Sequence, residues 1–197
     1  LHSLGGQGVF VKELESALLS REIDVAIHSL KDCPAVVSKG LCLASFPDRE
    51  DARDAFLSNG THFRDMAPGS KVGTGSPRRV SQLKSMRPDL EYVSIRGNLP
   101  TRIEKIKSGE VDALVLAVAG LKRLGLKDSI THTFSLDQCI PAPGQACLAL
   151  ECREDDTLCL QRLDAINDAM AENLVELERD LMERIGGGCS FPLAAHA

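Results

Sequence analysis

Short apolar runs rich in β-branched residues alternate along this chain with stretches in which apolar residues recur every three or four positions. The first pattern predicts buried strands and the second amphipathic helices. Phe10, Leu14 and Leu18 share one helical face while Lys12, Glu13 and Glu15 lie elsewhere, so a helix is predicted over 10–20, after a flexible loop at 4–8. Strands are predicted at 23–27, 41–46, 69–74, 90–95, 111–118 and 146–152. A short helix around 121–124 stops at Gly125, and helices over 157–170 and 172–185 follow, the last ended by Gly186, Gly187 and Gly188.

Strands alternating with helices imply an α/β fold. The segment LLSREIDVAIHS (18–29) is echoed by KIKSGEVDALVLA (105–117): a helix end, a short turn, Glu, an aliphatic, Asp, then an apolar strand. The same helix–strand unit is therefore expected twice, once in each of two similar lobes. PDREDARDAF (47–56) and CIPAPGQA (139–146) read as crossovers between lobes, the layout of a hinged clamshell. The first lobe takes 1–47 and 146–165 and the second 52–140. Residues 166–197 open a small α+β third domain that carries Cys189.

Composition adds limits. Hydrophobic residues at 43% supply a core, and a net charge of −5 with one Tyr and no Trp argues against nucleic acid as a partner. No apolar run reaches a membrane span, and no signal peptide is visible. Seven cysteines, with no CxxC pair and no His at zinc-site spacing, suit reduced thiols in a cytoplasmic compartment without a bound metal. The chain opens in mid-loop at Leu1 and stops abruptly at His196 and Ala197. It is expected to be a piece of a longer protein, which leaves room for an upstream targeting segment, plastid import included.

Candidate chemistry sits where strands end. His28, Ser29, Lys31 and Asp32 follow the strand at 23–27, and Pro34 blocks its continuation. Ligands of open α/β sheets bind just beyond such carboxyl ends; a plain polar turn is the alternative. An ionised Asp32 can stabilise a developing cation or shuttle a proton, and Lys31 can pair with a substrate anion, whereas His28 suits packing beneath the site. In the second lobe Ser76 is a plausible N-cap and Pro77 a first helical residue, which puts Arg78 and Arg79 in the first turn. Cations there oppose the helix dipole by up to about 1 kcal/mol, so an anion site is the favoured reading over two solvated arginines. Arg96 and Gly97, then Pro100 and Arg102, repeat the arrangement one strand over, and Arg123 reaches the same side. Ser29 and Thr74 are plausible donors to a carboxylate. Guanidinium forks match carboxylates, so a small polycarboxylate held opposite Asp32 is the expected ligand; phosphate is second, without a P-loop. Cys189, after three glycines, is a candidate for covalent attachment.

HSLKDCP, GTGSPRR, SIRGNLPTR, LAVAGLKRLG, PGQACLALECR and GGGCSFP occur in this order. Together they resemble the porphobilinogen deaminase family over essentially the whole chain. The resemblance implies two periplasmic-binding-protein-like lobes plus a third domain. It implies a monomeric transferase of haem and chlorophyll biosynthesis that joins four porphobilinogen molecules into the linear tetrapyrrole hydroxymethylbilane, releasing ammonia each time. It implies a dipyrromethane cofactor, thioether-bound at Cys189, that carries the growing polypyrrole chain, and a hand-off of product to uroporphyrinogen-III synthase. Asp32 matches the catalytic aspartate, which contacts pyrrole N–H groups and steadies the cation formed as ammonia leaves. Arg78, Arg79, Arg96, Arg102 and Arg123 match the arginines that hold acetate and propionate groups, with Arg96, Arg102 and Arg123 on the substrate side. Ser29, Lys31, Thr74, Ser76, Gly97 and Gln145 match other contacting positions. Gln7 stands where lysine is frequent, and Gly75 and Pro77 where Ser and Leu are usual. The family's first strand and helix, and most of its third domain, have no counterpart here, so the 197 residues alone are expected to be weakly active or inactive. The main rival is a non-catalytic two-lobed binding domain for a small polycarboxylate; acyl or phosphoryl transfer lacks a nucleophile–His–acid set.

Overall fold

The computed structural model describes residues 6–186 and 192–197. In chain order the elements are α1 (Gly6–Leu19), β1 (Ala26–Ser29), β2 (Leu41–Ser45), β3 (Asp54–Ser58), β4 (Lys71–Gly73), α2 (Pro77–Met86), β5 (Glu91–Val93), α3 (Leu99–Lys107), β6 (Ala113–Ala117), α4 (Val118–Arg123), β7 (His132–Thr133), β8 (Leu148–Arg153), α5 (Thr157–Asp164) and α6 (Ala169–Ile185). They form two compact units. The first runs through Glu50, resumes at Pro143 and includes Ala195–Ala197; the second runs Asp51–Ala142 and takes in residues 192–194.

The first unit carries an antiparallel sheet in the order β1-β8-β2. Because successive residues of β8 point to opposite faces, Ala149 joins Leu30, Cys33, Phe46, Cys147 and Val175. Leu150 and Cys152 join Leu163 on the other face. Val175 belongs to α6, so the helix read as the start of a third domain is part of this unit's core. On the same helix, buried Glu178 takes both forks of Arg49 at 2.8 and 3.1 Å and the Gly144 N–H at 2.7 Å. One carboxylate thus ties together the two passes of chain that make up the unit.

The second unit carries a mixed sheet, β5-β4-β6-β3-β7, in which β5, β4 and β6 are parallel and β3 runs antiparallel to both its neighbours. The apolar run of β6 is unbroken because both faces are covered. Ala113 and Val115 pack with Phe56, Leu83 and Phe134, and Leu114 and Leu116 with Ile106, Val111 and Leu121.

The echoed segments share one turn. Ser20 and Ser108 each donate to the carbonyl four residues back, and Glu22 and Ile23 both donate to Ala17, as Glu110 and Val111 do to Lys105. The left-handed residue between them is Gly109 (φ 74°) in one copy and Arg21 (φ 62°) in the other. Arg21 bears a cost of about 1 kcal/mol that Gly109 avoids.

Several boundaries differ from the pattern-based expectation. The helix predicted from residue 10 begins at Gly6, so part of the expected 4–8 loop is helical. The strand predicted at 23–27 lies at Ala26–Ser29, because Ile23 closes the helical turn and pairing with β8 starts at Ala26↔Glu151. The stretch 47–56 is not all crossover: β3 begins at Asp54, a charged residue that disguises an otherwise apolar strand. The helix expected over 157–170 stops at Asp164. Asp168 starts a new one by accepting from the N–H groups of Met170 and Ala171 at 2.9 and 3.1 Å.

Burial of acidic protons sets an alkaline limit. Burial, then the nearby Asp54 charge, pushes the Cys139 thiol up to about 12, and burial with neighbouring thiols does the same for Cys152. Burial lifts the Tyr92 phenol to about 12. A folded pKa above the unfolded one contributes stability below the unfolded value, here about 8.5 for thiol and 10 for phenol, and loses it as pH rises towards the folded value. The unfolding midpoint is expected to fall steadily above about pH 8.5, and Cys139→Ser to flatten that fall; a midpoint level to pH 11 would contradict it.

Candidate active site

The second unit gathers its candidate residues at the carboxyl ends of its parallel strands. Thr74, just beyond β4, is buried, donates its N–H to Val93 O at 3.0 Å, and accepts at Oγ1 from the Ser76 N–H at 3.3 Å. Ser76 caps α2 by accepting from the Arg79 N–H, and Pro77 follows as the sequence requires. Gly75 leaves room beside Ile95 O, which a Cβ would meet at 3.1 Å. A larger residue there therefore needs a small backbone adjustment.

Arg78 and Arg79 turn inward. Both are buried, and both clasp Asp54, which is fully buried: Arg78 Nη2 to Oδ2 at 2.7 Å, Arg79 Nη2 and Nε to Oδ1 at 2.7 and 3.0 Å. Arg79 Nη1 also donates to Val115 O at 3.1 Å and Arg78 Nη1 to Ile140 O at 2.5 Å. Burial opposes ionisation of Asp54, but the charges and hydrogen bonds of two guanidiniums outweigh it and hold the carboxyl far below the usual range. The arginines are therefore neither solvated nor open forks. The anion that the first turn of α2 calls for comes from the chain itself, as Asp54. Sequence reasoning missed Asp54; its only signal was a lone Asp opening the apolar DAFLS.

The positive charge is not fully met. Arg102, in the first turn of α3, is half-buried, and its pKa is lowered by burial and then by the charge of Arg79. Among the described residues its guanidinium donates from Nε to Gly97 O at 2.7 Å and has no carboxylate partner. Gly97 takes φ +116°, where a side chain is strained, and a Cβ would press on Thr101 at 3.2 Å. Asn98 caps α3 through Thr101 N–H at 2.9 Å. Arg96, beyond β5, is exposed and has no ion pair among the described residues; Arg123 is exposed at the end of α4. The structure thus brings Thr74, Ser76, Arg79, Gly97 and Arg102 together.

In the first unit, Leu30–Asp32 form a single 3-10 turn directly after β1. Leu30 anchors it: the residue is buried, takes its N–H to Cys147 O at 3.0 Å, and accepts from the Cys33 N–H at 3.0 Å. Ser29 is exposed, and Lys31 and Asp32 are half-buried, at the mouth of the sheet. His28 is buried and bonded through Nε2 to Glu151 at 2.9 Å, which fits its expected packing role. Gln145 is buried between two left-handed residues, Gly144 (φ 70°) and Ala146 (φ 73°). A Cβ on Gly144 would strike Leu30 Cγ at 2.7 Å, so this loop lies against the residue that anchors the Asp32 turn. Cys189 lies outside the described residues.

The family described as "Porphobilinogen deaminase, dipyromethane cofactor binding domain" matches residues 1–161. The chain belongs to the porphobilinogen deaminase family. The porphobilinogen deaminase of Bacillus mycoides is 51% identical over the whole chain, and that of Geobacter sulfurreducens 48%. The chain covers 64% and 62% of those proteins' lengths. The family match ends short of Cys189. Among solved structures, the methionine-binding protein MetQ has a TM-score of 0.53 at 13% identity, over 83% of this chain and 79% of that one. A putative methionine-binding lipoprotein from Bacillus subtilis has 0.51 at 13%, over 86% and 80%. At that identity the likeness concerns the fold alone, the two-lobed periplasmic-binding-protein type, which porphobilinogen deaminases share. No helix among the described residues is long and apolar enough to cross a membrane.

Proposed function

We propose that this chain carries the cofactor-binding and catalytic residues of a hydroxymethylbilane synthase, a transferase that condenses four porphobilinogen molecules into a linear tetrapyrrole. The observation that carries the proposal is Arg102. A half-buried guanidinium beside a second arginine, with no carboxylate among the described residues, is stabilised by an anionic ligand. Arg96 adds an open fork nearby in the same unit.

A dipyrromethane, whose pyrroles bear acetate and propionate groups, fits that donor set. When bound it supplies the pyrrole carbon to which the next porphobilinogen is joined. Arg96, Arg102 and Arg123 hold carboxylates, with Thr74, Ser76 and the backbone at Gly97 adding hydrogen bonds. Arg78 and Arg79 fix the α2 junction and set the local charge. Asp32 accepts pyrrole N–H groups and stabilises the positive charge that develops as ammonia leaves; Ser29, Lys31 and Gln145 orient groups around it. Cys189 forms the thioether. In this reading the protein is a cytoplasmic monomer that passes its product to a uroporphyrinogen-III synthase.

The test uses the longest natural polypeptide that contains this chain, incubated with porphobilinogen. Substrate is expected to disappear with release of one ammonia per molecule and appearance of a linear tetrapyrrole. Tight binding of a small polycarboxylate with no ammonia released would favour the binding-domain alternative.

A further inference from the structure

We propose that Cys42 and Cys152 form an oxidant-driven disulfide site in the first unit, independent of the proposed activity. The two residues lie directly opposite each other in the β2–β8 pairing. Opposed Cα atoms in an antiparallel pair are about 4.5–5.5 Å apart, inside the range of about 4.4–6.8 Å that a disulfide spans. Directly opposed residues also share a sheet face. Both thiols accordingly sit in the cluster under α5, with Leu150, Leu160, Leu163 and a third thiol, Cys159.

Cys152 packs in this cluster with both Cys42 and Cys159 and is itself fully buried. Cys42 and Cys159 are half-buried, so oxidant reaches the cluster through them. Burial raises the Cys42 thiol, with Glu154 and Glu151 adding to the rise and Cys152 opposing it. Both members of the pair therefore remain protonated in neutral, reducing conditions. The cluster is also not a metal-binding set: no group of three His, Cys, Asp or Glu side chains among the described residues could hold an ion.

The chemistry balances with hydrogen peroxide as oxidant. The Cys42 thiolate attacks one peroxide oxygen, the O–O bond breaks, and hydroxide leaves to take up the proton that the thiol lost. The Cys152 sulfur then attacks the sulfenic sulfur of Cys42, the S–O bond breaks, and the oxygen departs as a second water carrying the Cys152 proton. Two thiols are oxidised to one disulfide and two peroxide oxygens are reduced to water. The bond joins the chain pass that ends at Glu50 to the pass that resumes at Pro143, which closes Asp51–Ala142 of the second unit into a covalent loop.

The experiment treats the protein with hydrogen peroxide, alkylates the remaining thiols, and maps peptides without reductant. Loss of two hydrogens is expected, with a linked pair containing Cys42 and Cys152. The pair should be absent in Cys42→Ser, present in Cys159→Ser, and form faster as pH rises. After tryptic nicking within the second unit, the two passes of the first should stay joined until reductant is added. Linkage through Cys159, or sulfinic acid at Cys42 with no linked pair, would overturn the proposal and leave the three thiols as core filling. Should Cys152→Ser fail to fold, Cys42→Ser alone carries the decision.

Discussion

Asp54→Asn is expected to destabilise the second unit by about 3–5 kcal/mol, the cost of leaving buried charge without its partner. Asp54 is the shared acceptor for two buried guanidiniums, and the amide keeps its shape while removing the charge. Arg78 also holds Ile140 O, and Gln82 grips the same residue through its N–H at 2.8 Å and its carbonyl at 3.1 Å. The loss should therefore loosen the chain on both sides of the unit, at β3 and around Ile140. The acid limb carries a second signature. A carboxyl held below its unfolded value of about 3.9 contributes stability that is present above that pH and lost as pH falls below it. Urea denaturation from pH 7 to pH 3 should show the wild-type chain losing stability that the variant never had. A loss below about 1 kcal/mol at pH 7 would mean the triad is worth no more than a surface pair.

Asp32→Asn is expected to lower turnover of the natural polypeptide by about a hundred- to ten-thousandfold, the usual span for a positioned carboxylate. The fold should survive, because Leu30, through its burial and its bond to Cys147 O, anchors the turn that presents Asp32. The denaturation midpoint should shift little while ammonia release nearly stops. A variant that turns over normally would remove Asp32 from the chemistry, and one that unfolds would make its role structural.

The repeated helix–strand turn was legible in sequence because its chemistry is local. Gly109 or Arg21 takes the left-handed position, and both copies continue through Glu, an aliphatic and Asp. The cap at Ser76 was legible for the same reason, whereas the Asn98 cap of α3 was not read. What stayed hidden was long-range. Nothing in GTGSPRR says that Asp54, over twenty residues earlier, will occupy its arginines. A first-turn arginine reads alike whether its anion is a ligand or the chain's own carboxylate. The same limit hid β3, whose strand character depends on pairing with β6, and the break before α6, which depends on Asp168 donating its N–H to Phe46 O. Arg102 is the instructive contrast: the sequence offered it on the same terms as Arg78 and Arg79, and only the structure separates the arginine that meets no carboxylate among the described residues from the two that do.

The most direct test of the account is the intact mass of the longest natural polypeptide containing this chain, purified without added substrate, together with peptide mapping of Cys189. A mass increase equal to two linked pyrrole units, located on Cys189 and lost in Cys189→Ser, is the expected result. An unmodified Cys189 in protein that consumes porphobilinogen at full rate would contradict it.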